Sequence, residues 1–427
     1  MNRLSTLQPL LVIALLTAFV AGSARAQTPP DSSAEVTTTR NPLDTETPSD
    51  HGWNSDLEGT WFHAPGGDDM LTDFEPWRSI ESRDQDLDFL FDYNRADPLR
   101  LGFGWRYRGE EDWMPRLGAR LERAFGRDRT LYGAQVEQPV IPNGRIAVGA
   151  SMTRRTDHLD LQQSGDLENS IALLLARRDQ RDYFEREGAG AYVVWRVPDF
   201  SAISVHLRTD QYRSLPDQEP HSWAHGGRTL RPNPAIDDGE AHAWLIRLDR
   251  PTRIRHHARA GLYHWIELER TGHGMGGDFN YTRGLADVRS VVRLSPASTL
   301  SLRGVAGDTF DGNLPAQKQF SIGGPDGLRA HAVDSYRGNQ VAIGQAEYDV
   351  GLWWSARGPV GGFHALTFLD LGSAWNSDTW DLTRQKYGVD GGFGIATSEN
   401  ALRIYLAKDL QDLNQDFVIS ARLQRPF

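Results

Sequence analysis

Phe320-Ser-Ile-Gly-Gly-Pro-Asp-Gly-Leu-Arg-Ala-His-Ala332 lies between two segments that alternate apolar and polar residues, and it is too rich in glycine and proline to continue them as a strand. Gly323, Gly324, Pro325 and Gly327 allow a tight reversal with positive φ. Leu328 and one long cation, Arg329, stand at its far end. Further on, Leu366-Thr-Phe-Leu-Asp-Leu-Gly-Ser373 reads as a strand. Side chains of a strand alternate, so Phe368, Asp370 and Gly372 share one face and Leu369 and Leu371 take the other. A lone Asp on an apolar strand and a loop-borne Arg make a pair. The expectation is a loop folded back inside a barrel, with Arg329 docked on the lumen face near Asp370. Glu347 and Asp349 face the same lumen if Tyr348 and Val350 face outward, which makes them candidate partners for Arg329 or Arg337.

The barrel expectation rests on the same alternation repeated along the chain. Leu101, Phe103, Trp105 and Tyr107 alternate with Gly102, Gly104 and Arg106; Leu117, Ala119 and Leu121 alternate with Gly118, Arg120 and Glu122. Leu402, Ile404 and Leu406 repeat the habit near the end, as do Phe417, Ile419, Ala421, Leu423 and the terminal Phe427. Such runs number about 16 between residues 87 and 427, an even count of the kind bacterial membrane barrels show. The sixth begins near 188 and the ninth near 256. The fold class predicted is therefore an all-β transmembrane antiparallel barrel of about 16 strands, with the Arg329 loop between strands 11 and 12. Two long connections interrupt the pattern. Residues 156–187 contain Asp166-Leu-Glu-Asn-Ser-Ile-Ala-Leu-Leu-Leu-Ala176, read as a solvated helix on the barrel rim. Residues 213–238 are rich in Pro, His and Gly and read as a mobile loop.

Composition agrees with this class and excludes others. The net charge of −11 over 427 residues argues against a nucleic-acid partner, which would require a basic face. A mean hydropathy of −0.52 is compatible with a membrane barrel, because only alternate residues need be apolar. The absence of cysteine removes disulfides, thiolate catalysis and Cys-type zinc sites. Thirteen Trp and twelve Tyr suit interfacial aromatic girdles, although a carbohydrate-binding β protein has a similar count.

Arg3, the apolar run Leu7 to Ala21 and Ala24-Arg25-Ala26 form an export signal over residues 1–26. That run is too short to span a bilayer as a helix, and no later run is long enough either. An exported membrane protein without helical spans must be a closed barrel. Residues 27–56 read as a disordered linker. Residues 57–84 hold either a short plug helix from Leu71 to Ile80 or a periplasmic strap; together 27–84 precede the barrel of 85–427.

IGGPDGLRAHAV resembles the barrel-lining loop of the Omp85 superfamily, a GG followed by a [VL]RG[YF]-type tetrapeptide, and FLDLG resembles that superfamily's FxDxG strand motif. Here the tetrapeptide reads Leu328-Arg329-Ala330-His331, so Ala replaces Gly and His replaces the aromatic. The resemblance covers roughly residues 85–427 and is to barrels of the BamA, TamA and two-partner-secretion transporter kind. Their usual periplasmic POTRA module does not fit beside the linker in the segment before residue 85. The resemblance implies protein translocation or membrane insertion, a weakly paired seam between the strand near 87–93 and Phe417–Phe427, and no cofactor. Ile419, Ala421, Leu423 and Phe427 resemble the terminal signal read by the barrel assembly machinery. Outer-membrane lipid, that machinery and an unnamed protein substrate are the implied partners, and the outer membrane the implied location. Two other readings stay open: a passive channel built on the same scaffold, and a hydrolase at the extracellular rim. The hydrolase would draw on His63 with Asp68 and Asp69, on His256 and His257, or on Gly272-His-Gly-Met-Gly-Gly-Asp278. No G-x-S-x-G, H-E-x-x-H or P-loop supports it.

Overall fold

A computed structural model describes residues 85–423, apart from 109–112, 142–144, 198–200, 219, 221, 224–228, 251–260, 353–361 and 398–401. The expected export signal, the rest of the segment up to residue 84, and His63, Asp68, Asp69, His256, His257 and Phe427 lie outside the described residues. The chain opens with β1 (Gln85–Asp92), β2 (Arg100–Arg108), β3 (Arg116–Ala124), β4 (Arg129–Pro139) and β5 (Ile146–His158). A helix, α1 (Asp166–Ala176), precedes β6 (Tyr183–Val197), β7 (Ser201–Ser214), β8 (Gly239–Arg250), β9 (Gly261–Thr271), β10 (Tyr281–Ser295) and β11 (Ser298–Gly312). The Arg329 loop carries two short strands, β12 (Phe320–Ile322) and β13 (Tyr336–Gly338). The chain then completes its sheet with β14 (Gln340–Leu352), β15 (Phe363–Trp375), β16 (Gly388–Thr397), β17 (Leu402–Asp409) and β18 (Val418–Leu423).

Every strand except β12 and β13 belongs to one antiparallel sheet of sixteen, each paired with its neighbour in sequence. Consecutive pairing of this kind needs only hairpin links, which is why the alternation alone placed the elements. The sidedness is that of a barrel in lipid. On β17 Leu402, Ile404 and Leu406 are exposed, while Arg403, Tyr405, Ala407 and Asp409 are buried. On β15 Leu369 and Leu371 point outward, and Phe368 and Asp370 are buried. Apolar residues therefore cover the outside, and charge fills the interior, where Arg100 meets Asp92, Glu122 and Asp166. On a water-facing protein so many outward Leu, Ile, Val and Phe would be an aggregation surface.

Four expectations need correction. Phe320–Ile322 is a strand, pairing Phe320 with Gly338 and Ile322 with Tyr336. The glycine and proline responsible for the opposite reading are concentrated just after it, at 323–327. β6 starts at Tyr183, earlier than the expected 188, because Tyr183 to Glu187 pair with His158 to Arg154 although charge blurs their alternation. α1 is not a solvated rim helix: Asp166, Glu168, Asn169, Ser170 and Leu173 are buried. Finally, β1 and β18 share no ladder among the described residues. They stand on either side of α1.

Candidate functional site: a loop laid across five strands

The loop after β11 is anchored at its root before it crosses the lumen. A 3-10 turn at Ala316–Lys318 delivers the Lys318 ammonium to Glu269 at 3.2 Å, and Arg283 donates from Nη1 to the Lys318 carbonyl at 3.0 Å. Glu269 also accepts from Arg283 Nε at 2.9 Å and from the Tyr281 hydroxyl at 2.9 Å. The reversal then follows. Gly323 has φ +133°, and a Cβ there would lie 2.0 Å from the Ala332 carbonyl oxygen; Gly324 has φ +70°. Only glycine fits both demands.

Register explains what the loop tip meets. Arg303 of β11 pairs with Gln345, Gln345 with Asp370, Asp370 with Asp390, and Asp390 with Asp409. These five inward side chains form one row across β11, β14, β15, β16 and β17, and all are buried. Residues 326–331 run along that row. The Asp326 carbonyl accepts from Arg303 at 2.7 Å, and the Gly327 carbonyl from Gln345 at 2.8 Å. Arg329 Nε lies 3.2 Å from Asp370 Oδ2. The Ala330 N–H donates to Asp390 at 2.6 Å, and His331 Nδ1 lies 2.9 Å from the other Asp390 oxygen. His331 Nε2 faces Asp409 at 3.8 Å. Leu328 is fully buried over Gly388, where a Cβ would come within 2.6 Å of Leu328 Cδ1.

Arg329 is the centre of this arrangement. Its Nη1 donates to Glu347 Oε2 at 2.8 Å, shorter than its approach to Asp370. Its guanidinium carbon lies 4.1 Å from the centre of the Phe368 ring and 4.5 Å from that of Tyr405. The two rings stand edge to face, 5.5 Å apart, so the cation packs in the corner they form while its edge meets the carboxylates. The Tyr405 hydroxyl donates to Glu347 at 2.9 Å, and Arg403 reaches both Glu347 and Asp349. The tip is tied from the other side as well: Arg422 of β18 donates to the Pro325 carbonyl at 2.7 Å and to Asp326 at 2.6 Å. Ser164, just before α1, donates to Asp326 at 2.8 Å.

The pairs read from the sequence fall as follows. Arg329, Asp370 and Glu347 come together, with Phe368 stacked beside them. Gly372 backs Ile322, at 3.1 Å for an added Cβ. Asp349 serves Arg403 and His364 instead of Arg329. Arg337 turns away from both Glu347 and Asp349, binding Asp334 at 2.8 Å and Asp182 at 3.4 Å. Ile419 and Ala421 lie on the exposed face of β18, with Leu423 half-buried. His273 sits in a turn with φ +50° and faces Asp311 at 3.4 Å. Asp390, Arg403, Tyr405, Asp409 and Arg422 were not singled out from the sequence. The signal was present: each is a polar residue at an inward position of an alternating run.

His331 stands where the resembling family carries an aromatic residue, and it uses the position electrostatically. Its hydrogen bond to Asp390, aided by the charges of Asp390 and Asp409, raises its pKa above the usual 6.5, against the opposing effect of burial. Because the folded value is the higher one, the stabilisation is fully present below pH of about 6.5 and is lost as pH rises through the raised value. The melting-temperature gap between the parent and His331→Gln should therefore shrink on the alkaline side. The groups facing this ring are Asp390, Asp409 and Tyr336. A gap independent of pH would contradict the assignment.

Fold and site together define a sixteen-stranded antiparallel barrel whose longest inter-strand loop is folded inward and docked through one arginine. The solved structure of BamA from Haemophilus ducreyi lacking POTRA domains 1-3 matches at TM-score 0.54 and 14% identity, over 80% of this chain and 71% of that one. CdiB from Acinetobacter baumannii matches at TM-score 0.47 and 13% identity, over 80% of this chain and 60% of that chain. CdiB from Escherichia coli gives 0.46 and 11%, over 81% and 63%. The chain thus spans less than two thirds of either CdiB. At these identities what is shared with BamA is the fold. No protein-family model and no curated protein sequence matches the chain.

Proposed function

We propose that this chain is an exported outer-membrane barrel of the Omp85 type that inserts or translocates polypeptide. Residues 1–26 would direct export, and 27–84 would form a short segment on the periplasmic side. The observation that carries the reading is the conjunction of a loop docked inside the barrel with a first and a last strand that share no ladder among the described residues. The Arg329 loop is docked on the inward face of five strands, where a passive channel would be open, and among the described residues β1 and β18 leave strand edges without a ladder between them. Unpaired edges are templates for an incoming strand. BamA, with which the fold is shared, supports the same reading. Ile419, Ala421, Leu423 and Phe427 would carry the signal for assembly.

The test uses the purified mature chain in liposomes and in planar bilayers. Liposomes holding it are expected to fold a urea-unfolded outer-membrane barrel, or to admit an unfolded passenger to a protease sealed inside, several-fold faster than empty ones. Bilayer currents should be rare and brief. A steady ohmic current with neither activity would establish the passive channel instead.

A further inference from the structure

α1 is amphipathic the wrong way round for a surface helix. A helix on a water-soluble core buries its apolar stripe and exposes its polar face. Here Asp166, Glu168, Asn169 and Ser170 are buried, while Ile171 and Leu175 are exposed. Leu167, Ile171, Leu174 and Leu175 fall on one stripe by helical spacing. This polarity, with charge inside and Leu or Ile outside, is that of the barrel strands themselves.

Besides Arg100 of β2 and Tyr183 of β6, the buried face reaches the two ends of the sheet. Toward β1, the Ser170 hydroxyl accepts from the Tyr93 N–H at 2.8 Å and donates to Asp92 at 3.2 Å. Toward β18, Glu168 accepts from the Leu423 N–H at 3.1 Å and faces Arg422 Nε at 3.6 Å. Arg178, just past the helix, donates to the Ile419 carbonyl at 2.8 Å. Ile419 and Leu423 are four apart, so their backbone groups point to the same edge of β18. That edge is the one turned away from β17. Side chains from a single loop thus satisfy backbone groups that a neighbouring strand would otherwise take. The helix end is held in turn by Ser222, whose hydroxyl donates to the Leu173 carbonyl at 2.9 Å.

We propose that α1 is a displaceable stave of the barrel wall. It fills the gap between β1 and β18, caps the free edge of β18, and is the element that an extended polypeptide must displace to pair there. The stave rests on the geometry; its displacement by a polypeptide rests on the function proposed above. Side-chain caps can be released one at a time, whereas a ladder must be unzipped cooperatively, which suits a closure that opens repeatedly.

The natural absence of cysteine makes the test direct. Glu168→Cys with Leu423→Cys, joined by a short cleavable bis-thiol linker, pins α1 to β18. Separately, Glu168→Ala with Arg178→Ala removes the caps, and Glu168→Gln with Arg178→Lys keeps them in weaker form. Hydrogen exchange of residues 418–423 is expected to quicken about tenfold in the alanine pair and much less in the conservative pair. The pinned protein should lose insertion or translocation and regain it when the linker is cleaved. Unchanged exchange in the alanine pair, or full activity while pinned, would overturn the stave. Where the alanine pair fails to fold, the pinned form decides. A parent without either polypeptide activity would sink the function proposed above and leave the stave to be judged by exchange alone.

Discussion

Arg329→Ala is expected to cost the folded barrel about 3–5 kcal/mol, the range for breaking a buried ion pair by removing one partner. The magnitude follows from what is left behind. Glu347 keeps Arg403 and Tyr405, but among the described residues Asp370 keeps Gln345 alone, at 3.2 Å, and is fully buried. The Phe368 and Tyr405 rings also lose the cation packed in the corner they form. Arg329→Lys should restore little, since an ammonium lacks the planar fork that meets two carboxylates while packing against both rings. Asp370→Asn should cost less than Arg329→Ala, because Glu347 still holds the arginine. Heat-modifiable mobility on gels, checked by the yield of folded protein in the membrane, measures each variant. An Arg329→Ala barrel as heat-resistant as its parent would remove the docked loop from any account of this protein.

Glu269→Ala should have an effect of similar size at the other end of the same loop. Glu269 is fully buried and faces Arg283, Lys318 and, at 3.4 Å, Arg208. Without it three cations share an interior with fewer carboxylates, and the root of the loop loses the group that holds Lys318. A loss of about 3–5 kcal/mol is expected, together with new protease cleavage within 313–339. Glu269→Gln, which keeps an acceptor for the Tyr281 hydroxyl but not the charge, should fall between. The Arg329 and Glu269 variants act on a tip and a root whose described ion pairs differ, so their costs should add. Cleavage in the Arg329 variant alone would mean that the tip, and not the root, restrains the loop.

The exposed helix stripe and the row of carboxylates bear on the proposed function in the same way. Each closes something by side chains that a strand ladder would close permanently. The loop is held by a salt-bridged arginine and a histidine, and the seam by Glu168, Ser170 and Arg178. Such contacts can be exchanged without unfolding the sheet.

The sequence by itself determined about sixteen strands, their order and, where alternation is clear, which face looks inward, because alternation is a local property and antiparallel neighbours need only a hairpin. It also pointed to Arg329 and Asp370 as a pair, from a lone acid on an otherwise apolar strand and a long cation at a glycine-built tip. What it left undecided was every choice that depends on register. Asp390 and Asp409 join the row under the loop only because β15, β16 and β17 pair with no offset between Asp370, Asp390 and Asp409. Arg337 binds Asp334 and, from a different loop, Asp182, a long-range pairing no spacing encodes. The helix was readable from its residues, but its environment was not. The same polar face suits open water or a gap between two strands, and only the curl of the sheet brings β1 and β18 to either side of it.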